Sequence, residues 1–241
     1  MNTIAVVQAR MGSTRLPGKV LMPIDDRPVL EWVLRRLNRV DRIDQIIVAT
    51  TVSVVDAPIR RFCQTLEVPC IAGDEQDVLS RYAQAARDFP ANRIVRITAD
   101  CPLIDPIVVD QTIALMEDPQ AVDYTCNLLP QRTFPRGLDV EVMSHDCLRR
   151  LDETTTDPRH REHVTLAVHE HPERYRTIGW VTDPGHADLR WTVDTIEDLE
   201  LVRRIAACFG NDRFHWRSVI EAYASHPEWR EINRDIIQKA A

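Results

Sequence analysis

TIAVVQARMGSTRLPGKVL, residues 3–21, begins as an apolar run and passes directly into a loop holding three cations and two glycines. The run TIAVV shows no polar alternation, which is the pattern of a strand buried on both faces of a parallel sheet. A loop leaving the carboxyl end of such a strand lies where open α/β sheets bind their ligands. Gly12 and Gly18 permit close backbone approach, and Pro17 stiffens the turn. Arg10, Arg15 and Lys19 place three positive charges within ten residues, a density suited to a triphosphate rather than to one carboxylate. The G-x-x-x-x-G-K-[ST] phosphate loop is excluded: Pro17 stands at its second glycine and Val20 at the hydroxyl position. A solvated basic loop is the plainer alternative, but the position after the first strand and the Gly/Pro frame favour an anion site.

The rest of the first half repeats this rhythm. QIIVAT (45–50), VPCIAG (68–73) and RIVRIT (93–98) read as strands, separated by helical patterns over 28–40, 57–67 and 77–89. Strands separated by helices of this length predict βαβ units and a parallel sheet. Beyond about residue 120, VDYTCN, GLDVEVM, RYRTIGWV and LRWTV read as further strands. CLRRL, REHVTLAVHEH, TIEDLELVRRIAACF and the stretches 216–224 and 228–239 read as helices. The expected fold is therefore α/β, a mostly parallel sheet with a mixed second half, in one domain spanning 1–241.

Composition narrows the function. The 241 residues are 44% hydrophobic, enough for a sizeable core, and carry a net charge of −7. Basic residues are dispersed, so no nucleic-acid-binding face is expected. No apolar run approaches the roughly 20 residues needed to span a bilayer, and no signal peptide is evident, so a cytoplasmic protein is expected. Six cysteines without a C-x-x-C pair argue against structural zinc and a disulfide framework. His169 and His171, among eight histidines, have no carboxylate at ligand spacing.

Two aspartates follow strand-like runs: Asp100 in RIVRITADCPLIDP and Asp194 in LRWTVDTIEDLELV. Either alone can be a helix cap; both beside a triphosphate loop point to a shared Mg²⁺, which takes few carboxylates and leaves positions for phosphate oxygens. Asp105, Glu197 and Asp198 read as capping or surface residues. In RGLDVEV, Asp139 and Glu141 are two apart on a strand and share one face, with Leu138, Val140 and Val142 toward the core. Arg136, Asp139 and Glu141 are thus candidates for an acceptor pocket or a further metal ligand, or else part of an ordinary amphipathic edge strand. Arg161 and His163 of RHREHVT are candidates for acceptor or dimer contacts.

Six segments occur in order over residues 8–202: QARMGSTRLPGKVL, GDEQDVLSRY, RITADCPLIDP, RGLDVEV, REHVT and LRWTVDTIEDLELV. Together they resemble the family of spore coat polysaccharide biosynthesis protein F, related to the cytidylyltransferases that make CMP-Kdo and CMP-neuraminate. The resemblance implies a Rossmann-like, GT-A-like nucleotidyltransferase fold that binds CTP and Mg²⁺ and forms homodimers. It implies that Arg10, Gly12, Ser13, Arg15 and Lys19 hold the triphosphate and that Ala9 lies against the nucleoside. Asp74, Asp77 and Arg81 would sit near base and ribose, with Asp100 and Asp194 on the metal. RGLDVEV and REHVT are not the acceptor motifs of the Kdo or neuraminate enzymes, so the acceptor is not carried over. The implied reaction is transfer of CMP from CTP to a small acidic acceptor with release of pyrophosphate, with Arg15, Lys19 and Asp100 catalytic. A nucleotide-sugar-dependent glycosyltransferase of related fold is the competing reading, although TADCP is not its D-x-D motif.

Overall fold

β1 (Thr3–Gln8) runs through the middle of a seven-stranded sheet, and its alternate residues enter two separate cores. The computed structural model describes residues 1–183 and 185–238. After β1 come a small hairpin, β2 (Pro23–Ile24) and β3 (Arg27–Pro28), then α1 (Val29–Leu37), β4 (Gln45–Thr51) and α2 (Ala57–Thr65). β5 (Cys70–Gly73), α3 (Val78–Asp88), β6 (Arg93–Thr98) and α4 (Pro106–Ala114) complete the first half. The second half supplies β7 (Tyr124–Cys126), β8 (Glu141–Ser144), α5 (His145–Thr154), α6 (Pro158–His163) and α7 (Leu166–Glu170). It ends with β9 (Thr177–Gly179), α8 (Ile196–Phe209), α9 (Trp216–Ala222) and α10 (Trp229–Ile232).

The strands lie in the order β5-β4-β1-β6-β8-β7-β9. The first four are parallel, as the helical crossovers between them require. β8 runs antiparallel to both β6 and β7, and β9 returns parallel to β7, giving the expected mixed half. Ala5 and Val7 pack on one face with Leu30, Val33 and Val202; Ile4 and Val6 pack on the other with Leu79, Tyr82 and Leu148. Burying each such large side chain stabilises by roughly 1.5–3 kcal/mol, and a one-residue slip would exchange the two faces of β1. The register that results sets the carboxyl ends of β1 and β6 side by side. No helix among the described residues is long and apolar enough to cross a membrane.

Several boundaries depart from the sequence reading. REHVTLAVHEH is two helices, α6 and α7, because Val164 takes φ 55° and ψ −64° and breaks the run. LRWTV joins no strand ladder; its hydrogen bonds go to Arg136 and to Asp100, so it forms a single isolated bridge, Arg190 to Arg136. GLDVEVM is a strand only from Glu141, since the Asn127 side chain bonds Leu138 O at 2.7 Å and Val140 N at 2.9 Å in place of a ladder. The last helix spans only Trp229–Ile232, and the end of the predicted 228–239 stretch lies outside the described residues.

Candidate active site

The loop after β1 is anchored to the core by Ala9, Leu16 and Val20, and hydrogen bonds set its path. Ala9 N donates to Ala49 O at 3.0 Å, and Met11 N donates to the buried Asp56 carboxylate at 2.7 Å. Met11 O then accepts from Ser13 N and Gly18 N, both at 2.9 Å, which closes the loop on itself. Gly18 has φ 74°, the left-handed region that favours glycine, and it turns the chain into a short 3-10 segment beginning at Lys19. Asp56 was not singled out by sequence, because a polar residue among valines in TVSVVDAP carries no signal of its distant backbone partner.

Lys19 reaches beneath the loop and is gripped by two carboxylates, Asp100 Oδ2 and Asp194 Oδ1, each 2.7 Å from Nζ. Burial works against the ammonium, but the two aspartates outweigh it and raise its pKa above the ordinary 10.5. Asp194 also receives Arg15 at 2.9 Å and Arg190 at 2.6 Å. Burial would raise its pKa, yet Lys19, Arg15 and Arg190 hold it below the ordinary carboxylate value. Asp198, buried behind it, accepts from Asp194 N, Thr195 N and Arg190, and closes the capping box of α8. Asp198 and the α4 cap Asp105 are thus structural, as their capping positions predict.

Asp194 arrives by an unexpected route. Its segment bonds to the loop after β6 through Val193 N to Asp100 O at 2.7 Å, and to Arg136 through Trp191 N at 2.7 Å. Gly137, at φ 102°, lets that segment lie flat: a Cβ there would meet Thr192 N and Trp191 C at 2.7 Å. Gly137→Ala is expected to cost about 2–5 kcal/mol through combined strain and overpacking. It would also displace Asp194 and lower turnover; an unaltered melting temperature would refute the close-approach argument.

These groups line a cavity of about 290 Å³ at the carboxyl ends of β1 and β6. Its lining includes Ala9, Arg10, Ser13, Arg15, Lys19, Arg81, Asp100, His163 and Asp194 from the sequence reading. Arg81 is only 3% exposed, and its Nε and Nη1 have no hydrogen-bond partner. Burial lowers its pKa, the mark of a cation without a close counter-charge. Gln8, Arg96, Thr98 and Glu162 also line the cavity and were missed as site residues. Thr98 and Arg96 lie on the same face of β6 leading to Asp100, and that alternation was the available signal.

Other candidates fall outside the cavity lining. Asp77 caps α3 through Ser80 N and pairs with Arg161 at 2.7 Å, so each engages the other instead of a ligand. Asp74 accepts from Gln76 N and Asp77 N in a turn. Gly12 sits in the loop with its Cβ direction toward Glu75. Arg136 borders a different cavity beside Arg190 and Arg230. Asp139 lies before β8 and pairs with Arg132. Glu141 is buried and paired with Arg96, so the two carboxylates of GLDVEV do not share a ligand-facing surface. His163 does reach the lining, where Val164 forms a tight turn with Thr165 N on His163 O at 2.5 Å. A β-branched residue at positive φ stores strain, here directly beside the cavity.

Glu141 fixes an acid-sensitive point. Burial alone would raise its pKa, but Arg96 and hydrogen bonds from His169 and Thr165 bring it below the ordinary 4.5. A depressed carboxylate stabilises the fold above its unfolded pKa, and that contribution disappears as pH falls through the folded one. Glu141→Gln should destabilise the protein by about 3 kcal/mol at neutral pH, since it leaves Arg96 buried without its counter-charge. The gap from wild type should narrow below pH 4.5 in denaturant titrations. A gap independent of pH would assign the loss to packing.

Among the described residues no cluster of three or more His, Cys, Asp or Glu could hold a metal. Asp100 and Asp194 nonetheless fit Mg²⁺: both are hard oxygen donors, and they converge on one cation, Lys19. Two carboxylates with phosphate oxygens and water suffice for that ion.

The sequence profile of the cytidylyltransferase family matches residues 4–221. Spore coat polysaccharide biosynthesis protein SpsF of Bacillus subtilis is 32% identical over 215 residues, 85% of this chain and 87% of that one. A 3-deoxy-manno-octulosonate cytidylyltransferase of Geobacter sulfurreducens is 33% identical over 122 residues, 51% of this chain and 48% of that one. The solved structure of a cytidylyltransferase from Leptospira borgpetersenii superposes with a TM-score of 0.91, at 31% identity over 100% of both chains. With a basic loop, a carboxylate pair and a cationic cavity in place, this chain belongs to the cytidylyltransferase family and is a CTP-dependent cytidylyltransferase.

Proposed function

We propose that the chain transfers CMP from CTP to a small acidic acceptor, a sugar acid or a chemically similar compound, in a Mg²⁺-dependent reaction. The observation that carries this reading is the joining of Asp100 and Asp194 on Lys19 beneath the basic loop. An acceptor oxygen attacks the α-phosphorus, the new P–O bond forms, and the bond to the bridging oxygen breaks to release pyrophosphate. Arg10 and Arg15 bind and orient the phosphate chain, and Lys19 neutralises charge on the oxygens around the transferring group. Asp100 and Asp194 would hold Mg²⁺, which supplies further charge neutralisation on the phosphate oxygens when bound. An acceptor that is already anionic or acidic and lies close to the metal needs little further activation. Arg81, with two unpartnered nitrogens, is placed to donate to the nucleotide.

The test is a thermal-shift panel of CTP, ATP, GTP, UTP and UDP-sugars, each with and without Mg²⁺. A ligand held only by the folded state raises stability by about 2.7 kcal/mol at a hundredfold excess over Kd. Selective, Mg²⁺-dependent stabilisation by CTP is the expected result, followed by pyrophosphate release when an acidic acceptor is added. CTP stabilisation that ignores Mg²⁺ would remove the metal from the reading.

A further inference from the structure

Arg96 is a cation of the cavity that the nucleotide chemistry leaves unused. It lies on β6 directly opposite Glu141 of β8, a cross-strand pair in register. Its Nη1 donates to Glu141 Oε1. The other carboxylate oxygen, Oε2, accepts from Tyr124 OH at 2.6 Å, and that hydroxyl lies 2.8 Å from His169 Nε2. RGLDVEV thus stands behind this guanidinium through Glu141, and REHVT brings Glu162 and His163 to the lining of the same cavity.

This support fixes Arg96 from one side only. Its Nε is buried and has no hydrogen-bond partner, while the side chain as a whole is 15% exposed and borders the cavity. With Nη1 committed to Glu141, the Nε–Nη2 edge remains, whose two N–H groups point the same way and match the oxygens of a carboxylate or phosphonate. Arg81 belongs to α3 and Arg96 to β6, and Thr98, Asp100, Glu162 and His163 line the same cavity. The cavity thus has two arginines with buried, unpartnered donors, and Arg96, opposite Val6 of β1 on one side, is the one that faces Glu141 of β8 on the other.

We propose that Arg96 binds the anionic head of the acceptor, a carboxylate or phosphonate, with Glu141, Tyr124 and His169 as positioning residues. This rests on the reading that CMP is passed to an acidic acceptor. It makes the acceptor's charge, rather than its ring or hydroxyl pattern, the feature that the strand floor recognises.

The experiment follows the arginine Nε resonances of the protein by NMR, saturated with Mg²⁺ and α,β-methylene-CTP, during titration with acetate and with methylphosphonate. The Nε signal missing from Arg96→Lys should shift saturably in wild type. In Arg96→Lys, which keeps the charge beside Glu141 but lacks the fork, anion affinity should fall at least fivefold while the analogue's Kd stays within twofold. Tyr124→Phe should also weaken the anion, with the nucleotide unaffected, a split that a general loss of stability would not produce. Anion binding unchanged in Arg96→Lys would overturn the proposal. Parallel loss of the analogue would also overturn it, by assigning Arg96 to the nucleotide. Should the analogue fail to bind wild type, the cytidylyl reading falls, and the same resonance in the nucleotide-free protein still decides whether Arg96 takes the anion.

Discussion

Asp100→Asn should slow turnover by about a thousandfold with little change in melting temperature, the magnitude expected when one preorganised electrostatic group is removed. The side chain ends at Lys19 and the cavity, and the amide oxygen can still accept from the ammonium. Asp194→Asn provides the contrast. Asp194 joins Lys19, Arg15 and Arg190, so neutralising it removes the carboxylate of Arg15 and weakens the hold on the other two, which keep Asp100 and Asp198. That variant should lose both activity and stability. Measuring kcat at saturating CTP beside a thermal melt separates the two cases. Near-normal turnover in Asp100→Asn would remove Asp100 from the mechanism, and equal melting temperatures in both variants would contradict the charge network.

Lys19→Met should be a destabilising change at the site. Asp194 keeps Arg15 and Arg190, but Asp100 loses its ion partner at 2.7 Å and faces another carboxylate. Asp100 is a quarter exposed on the cavity, so stranding its charge should cost less than the penalty for a fully buried one, about 2–3 kcal/mol or roughly 5–10 °C in a chain of this size. Because the two carboxylates then lack their shared cation, Mg²⁺ should raise the melting temperature of Lys19→Met more than that of wild type. Differential scanning calorimetry across a Mg²⁺ series reads this directly. Equal responses would mean that Asp100 and Asp194 do not form a cation site. The linkage also has a sign at high pH. A lysine with a raised pKa contributes stability that is complete below 10.5 and lost as pH rises through its folded value. Wild type should therefore lose stability relative to Lys19→Met in strongly alkaline solution.

Much of the nucleotide half was legible in the chain. The unbroken apolar run of β1 announced a two-sided strand, and the Gly/Pro-framed cations after it announced a basic loop at the strand's carboxyl end. Asp100 was readable for the same reason, since RIVRIT ends two residues before it. Asp198 and Asp105 were readable as caps from their spacing to the helices that they begin. All of these are local signals, set by side-chain periodicity and by the polar groups that a helix end leaves open.

The acceptor half was read less well, and the reasons are specific. Glu141 was read as an acceptor contact, a metal ligand or part of an ordinary amphipathic edge strand, because alternation assigns a face but does not say what lies opposite; only the register of β8 on β6 puts Arg96 there. Arg96 itself reads as a polar interruption in a buried strand. Asp77, read as near base and ribose, and Arg161, read as an acceptor or dimer contact, are 84 residues apart and bind each other. What the sequence by itself determined was the α/β order, the basic loop and the strand-end carboxylate, because each depends on neighbours within a few residues. What only the tertiary structure decided was which charges are spent on one another and which remain open to a ligand, because burial and partner depend on strand register and on contacts far apart in the chain.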